Sequence, residues 1–208
     1  MTPPLSQAVP LISARDLSYC TDKGRILFQH LNFVLPEGEI LWVEGPAGSG
    51  KSTLLRLLGG TQVASSGEID RQLEPEEIGF IPQLSQSQFL LPQTFLDILE
   101  VEAGDRDEAL KLTSLGLLDE NDFSLTWATA SLALRQRLLL TAALLKEPKL
   151  LILDDPFPPL DPQSQDRISL ALVEYVTGPP LRSIVVVSPE PLYDVASFGI
   201  PVRQLRRG

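Results

Sequence analysis

The stretch ILWVEGPAGSGKSTLLRLL, from Ile40 to Leu58, passes from an unbroken apolar run into a glycine-rich turn and then into a helical pattern. Ile40–Val43 shows no polar alternation, as expected of a strand covered on both faces. Gly45-Pro46-Ala47-Gly48-Ser49-Gly50-Lys51-Ser52 fits the spacing G-x-x-x-x-G-K-[ST]. Ser52–Leu58 then reads as a short helix that stops at Gly59–Gly60. Glycines at these positions let successive backbone N–H groups turn inward around phosphate oxygens, and the helix N-terminus adds its dipole. Lys51 is expected to reach the β- and γ-phosphates of a nucleotide, and the Ser52 hydroxyl to join a Mg²⁺ shell. The candidate nucleotide-binding residues are therefore this whole loop together with Thr53.

Leu150-Leu-Ile-Leu-Asp154 is the natural partner of such a loop, an apolar strand ending in a carboxylate suited to Mg²⁺. Ile184–Val187 is a further run of buried-strand type. Residues 11–44 are strand-rich, with β-favouring residues at Ile26–Phe28 and Leu31–Leu35 and a turn at Pro36–Gly38. Residues 89–146 read as mostly helical, including Leu132–Leu145. Buried strands alternating with helices predict an α/β fold with a largely parallel sheet. Residues 1–208 are expected to form one domain, with a helical subdomain at about 88–137.

Composition narrows the function classes. With 27 acidic and 17 basic side chains the net charge is -10, which argues against nucleic acid as a partner. One Cys and one His exclude a Cys/His zinc site of four ligands. Catalysis by histidine is confined to His30 or excluded. Cys20 has no internal partner and reads as a packed thiol, so nothing points to an oxidising compartment. No run approaches the ~20 apolar residues that span a bilayer, and the N-terminus does not read as a secretion signal. The cytoplasm is the expected compartment. Trp42 reads as core, Trp127 as either core or a docking surface, and Arg203, Arg206 and Arg207 as a solvated basic tail.

Taken in order, these motifs resemble the ATP-binding subunits of ABC transporters from about residue 11 to 190. The resemblance implies a P-loop NTPase of ABC type, with a small antiparallel β-subdomain and an inserted helical subdomain beside the parallel core. It implies that Tyr19 stacks on adenine and that Ile78-Gly-Phe-Ile-Pro-Gln83 is the Q-loop, whose Gln83 touches Mg²⁺ and the attacking water. Asp154 would hold Mg²⁺ with Ser52. Asp155 would take the place of the Glu that polarises that water. Leu160-Asp161 matches the end of the D-loop.

The chain departs from the family's pattern at three places. The signature L-S-G-G-Q is replaced by Ala130-Ser131-Leu132-Ala133-Leu134, although Arg135-Gln136-Arg137 follows it in register. Leu132 and Ala133 add Cβ atoms where close backbone approach is wanted, which weakens a γ-phosphate contact made across a dimer. Asp155 has one methylene less reach than Glu, and a misplacement of about 1 Å can cost a hundredfold in rate. Pro189 stands where the family has its switch His and has no side-chain donor or acceptor.

The resemblance therefore implies an ATP-binding subunit with Mg²⁺ as cofactor, dimeric with itself or a related chain. It would lie on the cytoplasmic face of a membrane through a separate transmembrane permease subunit. ATP binding should be retained and hydrolysis slow. The alternative is an ATP-sensing regulatory subunit that binds ATP without turnover.

Overall fold

The computed structural model describes residues 10–83, 93–105, 107, 117–156, 162–188 and 202–206. In chain order its main elements are β1 (Pro10–Cys20), β2 (Ile26–Pro36), β3 (Ile40–Glu44), α1 (Lys51–Leu58), β4 (Ser66–Arg71), β5 (Ile78–Ile81) and α2 (Phe95–Ala103). These are followed by α3 (Leu132–Leu145), β6 (Leu150–Asp154), α4 (Pro162–Thr177), β7 (Ser183–Val187) and β8 (Val202–Arg206). The core sheet runs β5-β6-β7-β3-β8 with every pairing parallel. A second sheet, β2-β1-β4, is antiparallel.

Alternate residues of the central strands serve different layers. Leu151 and Leu153 of β6 pack with Leu140 and Leu144 of α3 and Ile168 and Leu172 of α4. Leu150 and Ile152 point the other way, onto Leu54, Leu55, Leu57 and Leu58 of α1 and onto β1. Two apolar covers explain why β3, β6 and β7 are continuous hydrophobic runs. A third cluster joins Phe95 and Leu99 of α2 to Phe123, Trp127 and Leu138. Trp127 is 4% exposed, so packing is its role in this chain.

Parallel order places the C-terminal ends of β3 and β6 side by side, separated only by β7. The loop after β3 and the carboxylates ending β6 therefore meet at one edge of the sheet, where open α/β sheets bind ligands.

Two expectations are corrected. Val202–Arg206 pairs with β3 from Ile40↔Val202 to Glu44↔Arg206, so Arg203 and Arg206 lie in an edge strand rather than a solvated tail; Arg207 lies outside the described residues. The helical reading of 89–146 holds for α2 and α3, but Leu125–Ser131 is a non-helical connection anchored by Phe95 N–H donating to the Leu125 carbonyl.

Candidate functional site

The phosphate loop is built from its backbone outward. Gly48 and Gly50 sit at φ 75 and 89, conformations that cost a side-chain-bearing residue about 1–2 kcal/mol each. Gly50 directly precedes α1, whose first residue is Lys51. The Lys51 ammonium folds back to donate to the Gly45 and Pro46 carbonyls at 2.8 and 2.9 Å. The Ser49 Oγ is buried without a hydrogen-bond partner. A buried hydroxyl left so costs about 1–3 kcal/mol, and a phosphate oxygen is a natural acceptor for it. Pro46 and Ala47 are exposed at the loop's tip, and Thr53 is half-buried at the start of α1.

Two carboxylates face this loop from the end of β6. The Ser52 hydroxyl donates to Asp154 Oδ1 at 3.1 Å. Asp154 is only 6% exposed, and burial raises its pKa against the lowering effects of Ser52, Arg56 and Lys51. Asp155 is raised by burial and then by the charge of Asp154, with Lys51 opposing. It holds a left-handed backbone at φ 49, pinned by its N–H donating to the Val187 carbonyl at 2.9 Å. Its Oδ1 is buried and unpartnered, while Oδ2 accepts from Gln83 Nε2 at 3.4 Å. Like charges in a desolvated corner are the electrostatic setting that a divalent cation relieves.

Tyr19 ends β1 beside the loop-bearing sheet and packs against Phe28, ring centroids 6.2 Å apart. Its hydroxyl accepts a hydrogen bond from Gln62, in the turn after α1. The altered signature forms the start of α3. Ser131 caps that helix by accepting from Leu134 N–H at 3.2 Å, and Leu132 follows with 37% exposure. Arg135 lies over the Trp127 ring at 5.5 Å and donates to the Ala128 carbonyl.

The structure thus brings together Gly45–Thr53, Asp154, Asp155 and Gln83. Tyr19 sits on the neighbouring hairpin. His30 is drawn elsewhere, bonding Asp16 at 2.6 Å on the antiparallel sheet. Leu160-Asp161 and Pro189 lie outside the described residues. Sequence reasoning missed Gln62, which sets the Tyr19 hydroxyl, and Arg25, whose Nη2 donates to the Gly48 carbonyl at 3.1 Å. No local pattern announces either, because each contact spans more than twenty residues of a turn-rich region.

A glycine-rich loop between a parallel-sheet strand and a helix, facing buried carboxylates and flanked by an antiparallel sheet and a helical layer, is the arrangement of an ATP-binding cassette. Comparison with known proteins agrees. The ABC transporter family model matches residues 28–158. The zinc import ATP-binding protein ZnuC of Paracoccus denitrificans is 35% identical over 181 residues, covering 86% of this chain and 70% of that protein. ABC transporter I family member 17 of Arabidopsis thaliana is 30% identical over 197 residues, covering 88% and 74%. Among solved structures, a putative metal-chelate type ABC transporter in an inward-facing conformation matches with TM-score 0.78 and 29% identity, covering 96% of this chain and 80% of that one. A dimeric cassette in a post-hydrolysis state bound to ADP and Pi shares the fold, with TM-score 0.77 at 24% identity over 95% of both chains.

The chain belongs to the ABC transporter family, as one of its ATP-binding subunits. Among the described residues no helix is long and apolar enough to cross a membrane.

Proposed function

We infer that this chain binds ATP with Mg²⁺ in the Gly45–Ser52 loop, hydrolyses it slowly, and couples both events to a separate membrane permease. The observation that carries this reading is the convergence of Lys51, Ser52, Asp154, Asp155 and Gln83 at one edge of the sheet. In this reading Tyr19 stacks on the adenine, and Gly45, Pro46, Ala47, Gly48, Ser49, Gly50, Lys51, Ser52 and Thr53 hold the phosphates.

The donor set fits Mg²⁺. Ser52 Oγ, Asp154 and the Gln83 amide offer hard oxygen ligands, and no cluster of three or more His, Cys, Asp or Glu forms a protein-only cage among the described residues. Mg²⁺ keeps waters and phosphate oxygens in its shell and needs only one or two protein ligands. When bound it neutralises charge on the β- and γ-phosphates. Asp155 accepts a hydrogen bond from the attacking water and Gln83 orients it; the shorter reach of Asp is why turnover is slow.

Residues 1–208 act as one ATP-binding domain whose helical subdomain, near 88–137, carries the altered signature. Two such domains enclose ATP between one phosphate loop and the other chain's Ala130–Leu134. The partner cassette is a second copy or a related chain, and the assembly lies on the cytoplasmic face of a membrane. The zinc-import role named for the 35% identical relative makes a divalent-metal importer the first membrane complex to examine. The test is affinity purification from native membranes in mild detergent. A multi-span membrane protein should co-purify in near-stoichiometric amount; recovery without one counts against the transporter reading. A purely ATP-sensing role is favoured by the signature alone, where Leu132 and Ala133 stand in place of glycines. That role requires ATP affinity with turnover equal to a Lys51→Ala control.

A further inference from the structure

We propose that Arg25 is a nucleotide-binding residue, a second cation beside Lys51 that receives the phosphate chain of the bound nucleoside triphosphate. The proposal rests on the reading of Gly45–Ser52 as a nucleotide loop and adds a residue to it from the opposite hairpin.

Arg25 is held in place rather than dangling. The turn between β1 and β2 closes with Gly24 N–H donating to the Thr21 carbonyl at 2.8 Å and Thr21 N–H to the Arg25 carbonyl at 2.9 Å. Arg25 N–H in turn donates to Thr21 Oγ1 at 3.2 Å, and Gly24 takes the required left-handed conformation at φ 77. The base of the guanidinium is therefore fixed on the same hairpin as Tyr19, where Tyr19 pairs with Phe28 and Cys20 with Ile26.

The side chain leaves this hairpin for the phosphate loop. Its Nη2 donates to the Gly48 carbonyl at 3.1 Å, and a Cβ built at Gly48 would stand 3.7 Å from the same nitrogen. Carbonyls of the loop are thus drawn onto two cations, Gly45 and Pro46 onto Lys51 and Gly48 onto Arg25.

Charge strengthens the case. Asp22 lies in the same turn, yet Arg25 forms no ion pair among the described residues in a chain of net charge -10. A guanidinium carries five N–H donors in a planar fork, and one is engaged with Gly48. Arg25 is exposed, so the remaining donors are open to a ligand of the loop. Their geometry suits phosphate oxygens. Arg25 therefore ties the hairpin carrying the aromatic ring to the loop carrying the phosphates.

Competition titrations against a fluorescent ATP analogue test this on the full chain, with ATP and AMP as competitors. The wild type is compared with Arg25→Ala, Arg25→Lys and Lys51→Ala. The expected result for Arg25→Ala is an ATP affinity weakened about tenfold, as the loss of one charge-assisted contact implies. AMP, with one phosphate, should weaken by about threefold or less, and Arg25→Lys should recover part of the ATP loss. ATP affinity within about twofold of wild type in Arg25→Ala, with Lys51→Ala inactive, overturns the role of Arg25 and leaves the loop reading standing. Equal losses for ATP and AMP also overturn it, since they mean that Arg25 shapes the loop without meeting the phosphates. A wild-type chain that binds no nucleotide removes both readings together.

Discussion

In the proposed function the chemistry turns on a single residue, Asp155. Burial and the adjacent Asp154 raise its pKa, and the sign of the consequence follows. A carboxyl whose folded-state pKa is raised holds its proton more tightly when folded, so its ionisation destabilises the fold as pH climbs from the ordinary value near 3.9. The penalty grows as pH rises and is complete above the raised pKa. Asp155→Asn should therefore raise the thermal midpoint of the nucleotide-free protein at pH 7 by about 3 °C, a gain that shrinks toward pH 4; a scan of melting temperature against pH checks both parts. Asp155→Glu has the opposite purpose. Restoring the missing methylene should raise kcat about tenfold or more with KM for ATP little changed, and steady-state ATPase kinetics decide it. The loop and the Asp154-Asp155 pair were legible in sequence because each is contiguous and physically constrained. Gln83 meeting Asp155, Gln62 meeting Tyr19 and Arg25 meeting Gly48 were not derivable from local pattern, since they depend on how separate elements dock.

Helices α1 and α3, which follow the phosphate loop and the altered signature, are each secured at a terminus. Arg71, from β4, reaches the C-terminal end of α1, donating through Nε to the Leu58 carbonyl at 2.9 Å and through Nη2 to that of Leu57. The Leu57 carbonyl also accepts from Gly60 N–H at 3.2 Å, whereas that of Leu58 is one of the helix-end acceptors that need an outside partner. Burial lowers the Arg71 pKa, which marks a cation placed among apolar groups for this purpose. Arg71→Ala should cost about 1.5–3 kcal/mol, read as a lower denaturant midpoint at unchanged slope. At the other helix, Leu132→Gly with Ala133→Gly should separate fold from function. Two glycines in the first turn should cost up to about 2 kcal/mol of stability, while ATP-dependent association of two chains strengthens; calorimetry and sedimentation measure the two effects. Elements differed in how far they could be read from sequence. β3, β6 and β7 are doubly covered and announce themselves by continuous apolar runs. β4, SGEIDR, and β8, VRQLR, are edge strands of mixed polarity, so only their pairing partners reveal them. Trp127 resolved to packing because α2 and α3 close over it.

At the scale of the whole molecule, the parallel sheet aims the loop after β3 and the carboxylates after β6 at one edge, while the antiparallel hairpin bends over that edge with Tyr19 and Arg25. Ser131–Leu134 opens α3 in the helical layer, and in the proposed function it meets the nucleotide of a second chain. In the proposed function this geometry leaves the nucleotide-binding residues intact and alters the hydrolytic and dimer-facing ones. Among the described residues no helix is long and apolar enough to span a bilayer. Alignment of motifs made this architecture readable before the strands were placed, and the order β5-β6-β7-β3-β8 supplies the physical reason the motifs converge. The most direct test is Mg²⁺-dependent ATP turnover by the purified chain beside Lys51→Ala, with nucleotide affinity measured on both. The account predicts ATP binding lost in Lys51→Ala, and a slow wild-type turnover that requires both Mg²⁺ and Lys51. A wild-type chain that fails to bind ATP, or one whose turnover equals that of Lys51→Ala, would contradict it.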